Sequence, residues 1–224
     1  ELAAYGSDDT ESILAHDDRL LPYWKKFADA LSSVTTSDRG YIHLIVRQMQ
    51  LSPDVSDMLL SSSKAAPLKH LSLFNNNLGS MGISFVANTL RLNGTLRDLY
   101  LDTNHFQDEN EVASLISAAI KHPKLNGLAL DNCGLGGSFG GSCLIKPVVP
   151  ALERLREVSL EGNSIRGDSV QLISKCLANN PAVCVLDLRD NLLDNEDARA
   201  LSESLKTNTN LRCLKLAQNR ITEL

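Results

Sequence analysis

An α/β solenoid is the fold class this sequence predicts, and three observations predict it. The pattern L-x-x-L-x-L-x-x-N-x-L returns six times, as LKHLSLFNNNL from Leu68, LRDLYLDTNHF from Leu96, LNGLALDNCGL from Leu125, LREVSLEGNSI from Leu155, VCVLDLRDNLL from Val183 and LRCLKLAQNRI from Leu211. The starts differ by 28, 29, 30, 28 and 28 residues. Inside each unit the apolar period changes from two to helical. A fixed period with a fixed internal pattern is one supersecondary unit stacked on copies of itself.

The Leu68 unit shows how the elements arise. Leu71 and Leu73 alternate around Ser72, the mark of a short strand with one buried face. In the following GSMGISFVANTL, the residues Ile83, Val86, Ala87 and Leu90 have helical spacing. Units translated alike make all strands parallel. Strands stack ~4.8 Å apart and helices ~8–10 Å apart, so the stack bends with the strands inside. The asparagine follows the strand, where the chain turns inward and carries backbone groups away from water. A primary amide both donates and accepts, so it can satisfy those groups in its own coil and the next. The predicted ladder is Asn76, Asn104, Cys133, Asn163, Asn191 and Asn219. Cys133 reads as a ladder thiol.

These motifs resemble the ribonuclease-inhibitor-like class of leucine-rich repeats, from Leu68 to the C-terminus and more weakly from Tyr41. The long period and amphipathic helical halves such as EDARALSESLKTNTN (196–210) and DSVQLISKCLANNP (168–181) carry the resemblance. It implies a right-handed horseshoe segment with parallel strands on the concave face and helices on the convex face. It implies a binding module rather than an enzyme.

Residues 1–40 are expected to be a polar lead-in followed by a capping helix, and 41–224 the leucine-rich repeat domain. The domain has one degenerate repeat, five full repeats and one truncated repeat. In the cap, Leu20, Trp24, Phe27 and Leu31 share one helical face, with Pro22 in the first turn, where its missing N–H costs nothing. Such a helix covers the open edge of the first coil. The degenerate repeat, from Tyr41, places Met49 at the ladder position. The Gly-rich stretch 134–142 and Pro147 and Pro150 stand where other units carry a helix. Proline costs ~3 kcal/mol inside a helix, so this helix is expected to be short or begun late. The glycines lack the G-K-[ST] of a phosphate loop and read as a surface loop or a partner contact. The sequence stops after a strand motif, which predicts continuation in the natural protein and weak self-association of this chain through its uncapped C-terminal end.

Composition narrows the function classes. The chain has 224 residues, 43% hydrophobic and only 4% aromatic, as stacked leucines and alanines require. Its five cysteines include no C-x-x-C, which argues against a disulfide framework or a zinc site and for a reducing, cytoplasmic setting. A net charge of −5 disfavours nucleic acid. No apolar run is long enough for a membrane span. The five histidines show no metal spacing, no G-x-S-x-G occurs, and no cofactor is expected.

If the leucines point inward, the intervening strand residues form columns on the concave face. One column holds Phe74, Asp102, Asp131, Glu161, Arg189 and Ala217. The next holds Ser72, Tyr100, Ala129, Ser159, Asp187 and Lys215. The third holds His70, Asp98, Gly127, Glu157, Val185 and Cys213. Asp102, Asp131 and Glu161 should be solvent-exposed neighbours roughly 5 Å apart, with Asp98, Glu157, Asp187 and Asp190 adding to the same field. This is either a solvated polar face or a steering surface for a basic protein segment. Phe74 and Tyr100 stand beside it as aromatic anchors, and Arg189 closes the column. The expected function is a non-enzymatic protein-interaction module of a larger intracellular scaffold, cytoskeletal or regulatory protein. The alternative is a GTPase regulator, because the repeats look like those of Ran GTPase-activating proteins, although that family's acidic tail is missing here. A nucleotide-linked immune sensor is a third class, and actin-capping tropomodulins end in a similar repeat domain.

Overall fold

The computed structural model describes residues 2–3, 17–34, 40–106, 109–136 and 144–222. A 3-10 turn (Asp18–Leu20) opens helix α1 (Leu21–Ser32). Then strands and helices alternate: β2 (Ile42–Arg47), α2 (Pro53–Ser63), β3 (Leu68–Ser72), α3 (Gly79–Leu92), β4 (Asp98–Tyr100), α4 (Glu109–Lys121) and β5 (Gly127–Ala129). The series continues with a 3-10 turn (Lys146–Val148), α5 (Val149–Arg154), β6 (Glu157–Ser159), α6 (Asp168–Ala178), β7 (Val185–Asp187), α7 (Asn195–Leu205) and β8 (Cys213–Lys215). The two-residue β1 (Leu2–Ala3) pairs with β2, and the sheet runs β1 to β8 in chain order with every pairing parallel. This is the α/β leucine-rich-repeat solenoid, with the strands on the concave face and the helices outside.

The core is the leucine column that the pattern predicts. Leu71, Leu99, Leu128, Val158 and Leu186 pair across successive strands and are all buried. The interleaved Leu73, Leu101, Leu130, Leu160 and Leu188 are fully buried. Between α1 and α2, Trp24, Ala28 and Leu31 turn inward and are buried. The third unit has the shortest of the solenoid's helices: Pro147 and Pro150 sit in the first turns of the 3-10 turn and of the six-residue α5. The Gly-rich stretch lies largely outside the described residues. At the far end, Leu211, Leu214 and Leu216 are only half-buried and Ile221 is exposed.

The asparagine ladder is present in full chemical detail. The Oδ1 of Asn104 accepts the N–H groups of Asn76 (3.1 Å) and Leu78 (3.3 Å), and its Nδ2 donates to the carbonyls of Leu73 and Leu101. Asn163 and Asn191 repeat this arrangement. Asn76 does the same for the first coil, accepting from the Met49 N–H and donating to Val46 O. The Met49 N–H is therefore satisfied although Met49 has no amide: the amide that serves it comes from the coil after it. Cys133 takes the donor half of the role, its Sγ lying 3.4 Å from Leu101 O, and burial pushes its thiol up to about 12. Each residue just before a ladder position is left-handed: Gln48, Asn75, Thr103, Asn132, Gly162, Asp190 and Gln218 have φ between 50° and 68°. Glycine, asparagine and aspartate tolerate that region best, and of the other three, Gln48, Gln218 and Thr103, only Thr103 is β-branched.

A second set of side-chain bonds, not anticipated from the sequence, closes three of the turns from a helix back to the next strand. Asn93 Oδ1 accepts from Thr95 and Leu96, and Asn208 Oδ1 accepts from Asn210 and Leu211. His122 replaces the asparagine at the turn into the Leu125 unit. Its Nδ1 accepts from the N–H groups of Lys124 (3.1 Å) and Leu125 (2.9 Å), and its Nε2–H donates to Asn93 O at 2.7 Å. Only the neutral ring can do both. Burial, with Lys124 and Arg154 nearby, lowers its pKa against the opposing bond to Asn93 O.

A free imidazole titrates near about 6.5. Above that pH both folded and unfolded chains hold a neutral ring. Below it the unfolded chain takes up the proton first, so stability is lost as pH falls through the window between 6.5 and the lower folded value. His122→Asn is expected to keep the turn and flatten the fall in melting temperature between about pH 6.5 and pH 5. A slope equal to the parent's would show that His122 does not set it.

Candidate functional site

The three columns assemble in the register expected. His43, His70, Asp98, Gly127, Glu157, Val185 and Cys213 form one row across the sheet, and Ile45, Ser72, Tyr100, Ala129, Ser159, Asp187 and Lys215 the next. The third row follows the strand ends. Its backbone is tied coil to coil by Asn75 N–H to Asp102 O, Thr103 N–H to Asp131 O, Asn132 N–H to Glu161 O and Gly162 N–H to Arg189 O. That row carries Phe74, Asp102, Asp131, Glu161 and Arg189.

The acidic residues of this row are less open than the sequence suggests. Asp102 and Asp131 are half-buried, and Asp187, in the neighbouring row, is only 3% exposed. The reason is that their oxygens bind backbone. Asp102 Oδ1 accepts the Asp131 N–H at 3.0 Å, and Asp131 Oδ1 accepts the Glu161 N–H at 2.8 Å and the Ser159 hydroxyl at 2.6 Å. These bonds offset part of the like-charge repulsion. Burial nevertheless raises the pKa of both carboxylates; Glu161 adds to the rise at Asp102 against the pull of Arg47, and Asp102 and Asp187 add to it at Asp131.

The two halves of the face differ in charge balance. Toward β8, burial pushes Asp187 up, but the Arg189 guanidinium, bound through both Nε and Nη2, and Lys215 at 3.0 Å outweigh it and hold the carboxyl low. Arg189 also reaches Glu161 at 2.6 Å. Toward β4 and β5, no lysine or arginine of the described residues forms an ion pair with Asp98, Asp102, Asp131 or Glu157. Asp98 instead accepts from His70 Nδ1 at 2.9 Å. Burial lowers the pKa of His70 against the pull of Asp98. The His70 ring lies 4.1 Å from the His43 ring, edge to face, and 6.5 Å from Tyr100, nearly parallel to it.

Small residues carve two hollows in this lattice. Ser72 is surrounded by His43, Ile45, Arg47, His70, Phe74, Tyr100 and Asp102, which rim a depression of about 310 Å³. Gly127 and Ala129 floor a second depression, with Tyr100, Asp98, Glu157 and Ser159 around it and Asp187 and Lys215 at its far side. Tyr100, 39% exposed, is the ridge between them. The repeat pattern alone attaches no weight to these small residues. A Ser, Gly or Ala in mid-strand, opposite larger neighbours, is the signal that marks a hollow.

Among the described residues no group of histidine, cysteine and acidic side chains could hold a metal ion, the cysteines are free, and no helix is long and apolar enough to cross a membrane.

No family model matches the chain. A curated human relative, NACHT, LRR and PYD domains-containing protein 5, is 26% identical over 190 residues, which is 80% of this chain and 15% of that protein. The chain thus spans about a seventh of that relative's length. Among solved structures, the tropomodulin C-terminal domain of Caenorhabditis elegans superposes with a TM-score of 0.51 at 14% identity, over 82% of this chain and 92% of that one. An internalin of Listeria monocytogenes gives 0.47 at 23% identity, over 82% and 43% of the two chains. The actin-binding site 2 of leiomodin-1 gives 0.43 at 13%, over 85% and 87%. With its repeated motif and its stack of parallel strand-and-helix coils, the chain has the leucine-rich-repeat fold.

Proposed function

We propose that the chain is a protein-interaction module, without chemistry of its own, that belongs to a larger intracellular, cytoplasmic protein and binds a basic protein segment on its concave face. The observation that carries this reading is the unequal charge balance of that face. Glu161 and Asp187 are neutralised from within by Arg189 and Lys215. Asp98, Asp102, Asp131 and Glu157 lack such partners on adjacent strands, and like charges so close favour a cation from outside. The open sheet keeps this region in contact with water, which suits a macromolecular partner and not general acid chemistry. The human relative, a protein of several domains by its name, is compatible with a place inside a longer chain.

Selection of random twelve-residue peptides on the immobilised protein tests this. Enriched peptides should be rich in lysine and arginine, should weaken as salt rises, and should lose affinity when Asp102 and Glu157 are both made neutral. Neutral or acidic winners, or winners indifferent to those two changes, would sink the reading.

A further inference from the structure

We infer that the hollow floored by Gly127 and Ala129 is the socket for one arginine side chain of the partner, stacked on the ring of Tyr100 and held between the carboxylates of Asp98 and Glu157. This deepens the reading above and rests on it.

The floor comes first. The middle row places Ala129 between Tyr100 and Ser159, and the first row places Gly127 between Asp98 and Glu157. Both floor residues are buried, so the sheet is at its thinnest there and flanked by taller side chains. Asp98 uses that space. A Cβ on Gly127 would come within 2.8 Å of Asp98 Oδ1, which shows that this oxygen leans over the glycine and into the hollow. The other oxygen, Oδ2, faces His70 Nδ1 at 2.9 Å. His70 thus fixes the carboxylate from behind and leaves Oδ1 directed at the socket.

The wall follows. Tyr100 is the most exposed aromatic residue among those the sheet strands carry on this face, and its ring lies nearly parallel to His70 at 6.5 Å. That neighbour covers the side toward β3. Burial raises the pKa of the phenol, and the nearby carboxylates of Asp98, Glu157 and Asp102 add to the rise. An aromatic surface in a field of three carboxylates attracts a cation through both ring quadrupole and charge. A guanidinium is the better occupant than an ammonium. It is flat enough to lie on the ring and wide enough to reach a carboxylate on either side, and it gives up its weaker hydration more readily. The cation that lines the hollow, Lys215, is committed to Asp187.

The Ser72 hollow differs in kind. Arg47 stands on its rim and His43 and His70 on another side, so it offers an arginine a cation and two imidazoles beside a single carboxylate.

The test uses the peptides selected on the whole protein. Replacing the critical arginine of a winning peptide with citrulline, which keeps the shape and removes the charge, should weaken binding at least tenfold. Replacing it with lysine should weaken it less. Tyr100→Ala and Glu157→Gln should each reduce affinity for the arginine peptide several-fold and leave the citrulline peptide unchanged. Ala129→Leu should fill the socket and abolish the difference between the two peptides. Circular dichroism of each variant verifies that the coil is intact, and Glu157→Gln, on an exposed side chain, is the variant least able to disturb it. If winners lose affinity with Phe74→Ala or Asp102→Asn yet ignore Tyr100, Glu157 and Ala129, the concave-face reading stands and the socket is wrong. If no concave-face change matters, both are wrong.

Discussion

Asn163→Ala is expected to destabilise the chain by about 3 kcal/mol or more, since each buried polar group left without a partner costs roughly 1–3 kcal/mol. Asn163 is fully buried and makes four bonds that matter. Its Oδ1 accepts from Cys133 (2.9 Å) and Leu135 (3.2 Å), and its Nδ2 donates to Leu130 (2.8 Å) and Glu161 (3.1 Å). Alanine removes all four at once, in a turn where Cys133 already lacks an amide of its own. Asn219→Ala should cost much less, because that position is half-exposed and water can replace the side chain. Chemical denaturation of both variants measures the contrast. Equal midpoints would show that water reaches the Asn163 turn as well.

The second large effect belongs to Gly136. Its N–H donates to Asn163 O at 2.8 Å, and the two coils approach so closely there that a Cβ would lie 2.6 Å from the carbonyl carbon of Ser164 and closer still to the Asn163 oxygen. These are backbone atoms, and they cannot swing aside as a side chain does. Gly136→Ala is expected to cost about 3 kcal/mol, at the upper end of what overpacking costs. A melt within a degree or two of the parent's would mean that the neighbouring coil gives way more easily than its packing suggests. The same measurement on Gly94→Ala, where nothing lies within 4 Å, supplies the comparison.

The fold was legible because the repeat repeats. One strand-and-helix unit could be misread, but six copies in the same register leave little freedom for the chain, and Leu71, Leu99 and Leu128 align as the pattern requires. The columns of the concave face were legible for the same reason. What the columns could not show was how each side chain is used. Aspartate after a strand reads as a surface charge, yet Asp131 is held by a serine hydroxyl and a backbone amide, and Asp187 is buried under its own arginine. Those outcomes depend on a neighbour 28 or 30 residues away and on whether a turn offers an unpaired N–H. The ladder through Asn93, His122 and Asn208 was present in the sequence as N-G-T-L, H-P-K-L and N-T-N-L at matching places. It was hidden because a histidine interrupts it.

The direction of the amide ladder has a consequence for synthesis. Asn104 completes the turn of the Leu68 coil, Asn163 that of the Leu125 coil, and Asn191 that of the Leu155 coil; the helper always arrives later in the chain. At ~5–20 residues per second on the ribosome, one period separates a nascent turn from its helper by roughly 1.5–6 s. Loop closure takes well under a microsecond, so the wait is set by translation and not by the search. Every newly emerged coil therefore spends seconds with its inward turn unfinished, and the growing tip is always one repeat behind the polypeptide that has already been made.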